Sequence, residues 1–179
     1  HFDNAPMVDS KPKETAIKLA RRLAEITNSK IKMYIVNHGN NQTEISSNIN
    51  RRYQCVLCKR MMLRIAGEIA AKEKADFIIT GDNLGQVASQ TLQNIAVIES
   101  VVKIPVIRPL LCNDKNEIIK IANEIGTYED SIRVHSCCTA LPDNPVTKAR
   151  KEAVEIEEKK INIHAMADNA VKEAEIFEI

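Results

Sequence analysis

Short runs rich in β-forming residues alternate along this chain with longer runs of helical periodicity, and that alternation narrows the available folds more than any other feature. "IKMYIVN" (residues 31–37), "DFIITG" (76–81) and "IPVIRPL" (104–110) are too short for stable helices and sit between polar or glycine turns, the pattern of buried strands. Around them, apolar residues recur at helical spacing: Ala16, Ile17, Ala20, Leu23 and Ala24 in one run, Val87, Ala88, Leu92, Ile95 and Ile98 in another. A third run, 55–74, carries Cys58, Met62, Ile65, Ala66, Ile69 and Ala70 along one stripe. "HGNNQTEISSNINRR" reads as a loop or partial helix. Asp114 and Glu117 form a capping box and Gly126 stops the helix between them.

Strands separated by helices imply right-handed crossovers and an α/β fold, a doubly wound parallel sheet flanked by helices. "VTKARKEAVEIEEKKI" and "HAMADNAVKEAEI" read as C-terminal helices of the same domain, so residues 1–150 and 151–179 are expected to form one body. In such sheets ligands bind beyond the carboxyl ends of the strands. That rule selects "HFDN" at the start, which looks like a frayed strand end, the Gly81 turn, and the segment after Pro109.

Composition excludes some functions. The formal charge is +1, so no global field announces a nucleic acid, and such a partner must be met by a local patch. No apolar run approaches the ~18 residues of a membrane-spanning helix, and no signal peptide is visible. The 5 cysteines are an odd number, unsuited to a closed disulfide framework. A cytoplasmic protein with no membrane partner is expected, with a homodimer as a candidate assembly.

The thiols carry chemistry. Cys55 and Cys58 share a helix face and could serve one metal ion or cluster, although a small core residue is an equally ordinary role for Cys58. "HSCCTALPDNP" adds His135, Cys137 and Cys138. Three cysteines from two segments suit an iron–sulfur cluster with one open iron; with His135 they suit structural zinc; a persulfide-carrying cysteine is the third option. Cys112 is expected to pack beside a strand end.

"TGDNLGQVASQT" (80–91) leads from a strand through Gly81 into a helix start. Backbone amides there favour anions, and glycine admits a ligand close to the chain. Arg51, Arg52, Lys59, Arg60 and Arg64 surround the cysteine pair and suggest a phosphate-binding patch. Only 3 Phe, 3 Tyr and 0 Trp argue against extensive base stacking by this segment.

With these segments in place, the chain resembles the PP-loop (adenosine-nucleotide α-hydrolase) domain of tRNA 4-thiouridine synthases, the ThiI family. The resemblance rests on "HFDNAP", "CVLCKRMM", "TGDNLGQVASQTLQNI", "RPLLCNDKNEIIKIANEIGTYEDS" and "CCTALPDNPVTKA", in that order. It implies an ATP-dependent tRNA sulfurtransferase: ATP, with Mg²⁺, adenylates O4 of a tRNA uridine, and sulfur displaces AMP to leave 4-thiouridine. It places His1 and Phe2 at the adenine site and Lys59, Gly81 and Gln90 at the other nucleotide contacts. Cys138 matches the sulfur-handling cysteine, with Cys137 as the fallback.

In rhodanese-lacking, often archaeal, members the resemblance implies that Cys55, Cys58 and the loop cysteine ligate a cluster, 4Fe-4S rather than zinc. Sulfide or a cysteine desulfurase is then the sulfur donor, and the absence of a rhodanese-like extension after Ile179 suits this variant. Parts of the family also feed thiamine biosynthesis. The family's Ser-Gly-Gly-x-Asp-Ser loop belongs just upstream of His1, so this chain is expected to be part of a longer enzyme. Two alternatives stay open: the same reaction with a Cys138 persulfide and no cluster, and a non-catalytic tRNA-binding or assembly module.

Overall fold

The structure is a computed structural model that describes residues 1–5, 11–133 and 141–179. In chain order the elements are β1 (Phe2–Asp3), α1 (Lys11–Thr27), β2 (Lys32–Asn37), α2 (Gly39–Asn48), α3 (Gln54–Glu73), β3 (Ile78–Ile79), α4 (Leu92–Glu99), β4 (Val106–Ile107), α5 (Lys115–Glu124), α6 (Tyr128–Ser131), α7 (Lys151–Glu158), α8 (Ile163–Lys172) and β5 (Glu175–Glu178). Short 3₁₀ turns at Arg51–Tyr53 and Ala88–Gln90 precede α3 and α4. The expected α/β class is observed. Among the described residues no helix is long and apolar enough to cross a membrane.

The chain divides into two compact units. The first takes its described residues from 1–39, 113–139 and 173–179. Here β2 buries Met33, Tyr34, Ile35 and Val36 in succession, the continuous apolar run of a strand covered on both faces. β1 pairs with it in parallel, Phe2 opposite Val36 and Asp3 opposite Asn37. Just beyond, the backbone folds so tightly that a Cβ on Gly39 would sit 1.9 Å from the Ala5 carbonyl oxygen; only glycine fits. The Asp114–Glu117 capping box starts α5 as expected, and Gly126 follows it at φ +71°, the left-handed turn that ends helices.

One expectation is corrected in this unit. The terminal helix α8 ends at Lys172, and Glu175–Glu178 is instead the strand β5, antiparallel to β2 with Phe177 opposite Met33. Ile176 and Phe177 between glutamates satisfy a strand paired to an edge as readily as a helix face, and the backbone bonds to β2 decide between them.

The second unit takes its described residues from 40–112 and 140–172. β3 and β4 pair in parallel, Ile78 opposite Val106. α3 is its central helix and packs on α4, α7 and α8. The expected stripe is buried at Ile65 and Ala70, but in the first half of the helix Val56, Leu57 and Met61, at most 1% exposed, turn inward instead, whereas Cys58 and Met62 are half-buried. Apolar residues fall on several faces of its first half, so spacing alone does not choose the inward one. The predicted helix 87–99 likewise breaks. A 3₁₀ turn gives way to α4 at Thr91, whose hydroxyl accepts from the Asn94 backbone as an N-cap.

Candidate functional site

In the second unit, the carboxyl ends of β3 and β4 carry an ionic cluster. Lys59, on the second turn of α3, places Nζ 2.7 Å from Asp82 Oδ1. The other carboxylate oxygen accepts from Thr80 Oγ1 at 2.9 Å and lies 3.4 Å from Arg108 Nε, an ion pair. Arg108 is also held by Glu99 through its Nη1. Burial pushes the Asp82 carboxyl upward, but the Lys59 hydrogen bond and charge and the Thr80 hydroxyl outweigh it and hold it below its ordinary value. Asp82 is therefore a carboxylate at neutral pH, and Lys59 is held in one place rather than wandering in solvent.

Gly81 borders this pair. A Cβ there would meet nothing within 4 Å, and its backbone does not require glycine, so the room beside it is open to a ligand. The turn after it is tied down: Asn83 Nδ2 donates to the Leu110 carbonyl at 2.7 Å, and the Leu84 N–H to Leu111 at 3.0 Å. Gln90 turns its amide back onto the same turn, its nitrogen donating to the Asn83 carbonyl at 2.9 Å and its oxygen accepting from the Asn83 N–H at 3.3 Å. Gln90 thus shapes the loop beside Gly81.

Cys55 lies one turn before Lys59 on α3, and Cys58 immediately before it. Cys55 and Cys58 are both half-buried thiols, and Cys55 shares a helix face with Lys59. Cys58 Sγ accepts from Gln42 Nε2 at 2.7 Å and lies 4.0 Å from Met62 Sδ. Gln54 Nε2 in turn donates to Gln42 Oε1 at 3.1 Å. His135, Cys137 and Cys138 fall outside the described residues. The chain beyond them is anchored: the Val146 N–H donates to the Arg52 carbonyl at 2.9 Å. Buried Asn94 bonds the Val146 carbonyl at 2.8 Å and the Ala149 N–H at 2.9 Å. Cys112 is exposed rather than packed against a strand end.

The expected five-residue phosphate patch does not form. Arg60, 2% exposed, and Arg64 both clamp the carboxylate of Glu158, with four N···O distances between 2.6 and 2.9 Å. Lys59 is committed to Asp82, which leaves Arg51 and Arg52 as the exposed members of the cluster. Sequence reasoning missed Glu158 and the amides Gln42 and Gln54, because nothing in an isolated Glu or Gln announces a buried partner. Asp82 was findable: an acid directly after a strand-end glycine sits where ligands bind.

In the first unit, Phe2 meets the His38 ring edge-on with centroids 5.5 Å apart. His38 is fully buried, and burial pushes its pKa down to about 4, so it is neutral at physiological pH. The His1 backbone nitrogen donates to Tyr34 O at 2.6 Å. The Nε2 of His1 and the Oδ1 of Asn4 are buried with no hydrogen-bond partner among the described residues.

Comparison with known proteins places this chain. The family model for "Thiamine biosynthesis protein (ThiI)" matches residues 1–163. A probable tRNA sulfurtransferase of Moorella thermoacetica is 41% identical over 100% of this chain and 46% of its own length; one of Methanosarcina mazei is 39% identical over 100% and 44%. A crystal structure of a 4-thiouridine synthetase–RNA complex with bound ATP superposes with a TM-score of 0.92 at 35% identity, over 99% of this chain and 47% of that one. The chain thus spans about half the length of the curated relatives it matches, and by its family match and these identities it belongs to the ThiI family.

Proposed function

We propose that this chain supplies the ATP-using and sulfur-inserting chemistry of a tRNA 4-thiouridine synthase. The observation that carries the reading is the Lys59–Asp82 pair beside the open Gly81, with Cys55 one turn away and Cys58 next to Lys59 on the same helix. The uridine O4 attacks the α-phosphorus of ATP and pyrophosphate leaves; sulfide then adds at C4, and AMP departs with the former O4. No net oxidation occurs. Lys59 faces the charge gathering on the phosphate oxygens, and Asp82, braced by Thr80 and Arg108, keeps its ammonium in position before substrate arrives.

Gly81 lets the nucleotide approach the backbone, and Gln90 fixes the turn that carries it. His1 and Phe2 are assigned to the adenine on the family resemblance. Arg51 and Arg52 are the candidates for tRNA phosphate contact. Mg²⁺ is assigned to the ATP phosphates, since both oxygens of Asp82 are already engaged and no group of three or more metal-capable side chains forms among the described residues.

The described residues fit two of the three ligands a cluster requires: Cys55 and Cys58 are partly accessible thiols one turn apart, and an amide N–H already points at one sulfur. Cys138, with Cys137 as the alternate, is assigned as the third. Such a cluster, held by these thiols, would supply the sulfide that adds at C4. The anchoring of Val146 to Arg52 supports the arrangement, because it ties the chain after that loop to the start of α3.

The test uses the full-length protein, unmodified tRNA, ATP and sulfide, with 4-thiouridine read by retardation on an organomercury gel. Product is expected only with ATP, and Lys59→Ala is expected to lose roughly a hundredfold in rate. Thiolation without ATP, or at the wild-type rate in Lys59→Ala, overturns the reading.

A further inference from the structure

Two amides buried in the second unit serve neither a backbone ladder nor an ion pair. Gln42 and Gln54 are 4% and 2% exposed. Their hydrogen bonds run in one direction: Gln54 Nε2 to Gln42 Oε1 at 3.1 Å, then Gln42 Nε2 to Cys58 Sγ at 2.7 Å. With Gln54 as the donor, the Gln42 oxygen is engaged and its Nε2 is the end that faces the sulfur. The arrangement leaves Gln54 Oε1 buried without a partner among the described residues, a cost that two apolar side chains of the same size would avoid. An N–H aimed at sulfur recovers that cost best when the sulfur carries negative charge, as a metal-bound thiolate does.

Resting on the cluster reading above, we propose that Gln42 is a positioning residue for the sulfur site. It holds the Cys58 sulfur in one orientation and stabilises the electron-rich state of the cluster that this cysteine ligates, while Gln54 sets the direction of its amide. Hydrogen bonds to the sulfurs of a cluster favour its reduced form. The relay therefore acts on Cys58 and not on Cys55, so the two thiols of the C-x-x-C are not equivalent.

The full-length protein is reconstituted with iron and sulfide without oxygen, and its cluster is titrated electrochemically while the reduced signal is followed by paramagnetic resonance. Gln42→Met, close in volume and lacking the donor, is expected to bind the same iron per chain at a more negative midpoint potential. Gln54→Met, which leaves Gln42 in place but unfixes its amide, is expected to shift the potential the same way by less. Wild-type potentials in both variants, with iron content unchanged, overturn the proposal alone. A wild-type protein that takes up no iron overturns the cluster reading and this inference with it, and the iron count separates that case from the first. Should Gln42→Met fail to fold, Gln54→Met decides: a wild-type potential there refutes the relay.

Discussion

Replacing Glu158 by Gln tests whether the basic residues after the cysteine pair are structural. The carboxylate receives paired bonds from both Arg60 and Arg64 and is 6% exposed, with Arg60 at 2%. Gln keeps the shape, removes the charge and turns one acceptor into a donor facing two guanidiniums. Removing one partner from a buried pair costs about 3–5 kcal/mol, a large share of the roughly 5–15 kcal/mol that holds a domain together. With a urea m-value of about 2 kcal/mol/M, the unfolding midpoint should fall by roughly 2 M.

The pH dependence has a fixed sign. Burial raises the Glu158 pKa, but the Arg60 and Arg64 bonds and charges outweigh it and leave it below its ordinary 4.5. Its stabilisation is therefore fully present above the unfolded value and is lost as pH falls through the lower folded value. The gap between wild type and Glu158→Gln should be constant from neutrality down to about pH 5 and close only in more acid solution. A midpoint shift under about 0.5 M at neutral pH would refute the buried-triad account. Replacing all three residues with Met-sized apolar side chains should recover most of the loss, since an apolar cluster escapes the desolvation cost of the charges.

Three further outcomes follow from the same geometry. Arg51→Ala with Arg52→Ala should weaken tRNA binding and flatten its salt dependence with little change in stability, whereas Arg64→Ala should lower the unfolding midpoint and leave the salt slope alone; filter binding across a salt series reads both. Gly81→Ala should leave the melting temperature unchanged, because its Cβ meets nothing, yet raise the Kd for ATP measured by calorimetry. Gly39→Ala should do the reverse of a silent change: the 1.9 Å approach to Ala5 forces the backbone apart, and a loss of about 2 kcal/mol or more in denaturant unfolding is expected.

How much of this was legible in the sequence depends on the interaction that fixes each part. The α/β class, the capping box at Asp114 and the open strand-end turn at Gly81 follow from local chemistry, which the sequence displays directly. The strand β5 was read as helix because Ile176 and Phe177 fit either period, and what selects the strand is pairing with β2, more than a hundred residues away. The inward face of α3 was misjudged for a related reason. Arg60 counts as polar in any periodicity, and only partners far along the chain, Glu158 with the Val97 carbonyl and Ser100, make it a core residue.

That long-range pairing also explains how one short run carries several jobs. Successive residues of α3 are about 100° apart around its axis, so "CVLCKRMMLR" is not one patch but several rows of a cylinder. Cys55 and Lys59, four apart, form the row that faces the proposed chemistry. Arg60 and Arg64, also four apart, form the row that grips Glu158. Val56, Leu57 and Met61 turn to the core, and Cys58 lies at the margin, where Gln42 reaches it. A shift of one residue in this helix would exchange the ammonium that meets Asp82 for a guanidinium that belongs to the core. The Arg60–Glu158–Arg64 triad therefore locks the rotation of α3 and with it the direction of Lys59 and both thiols. If so, Glu158→Gln should raise the KM for ATP under conditions where the variant is still folded. An unchanged KM at full foldedness would mean that apolar packing alone sets the helix phase.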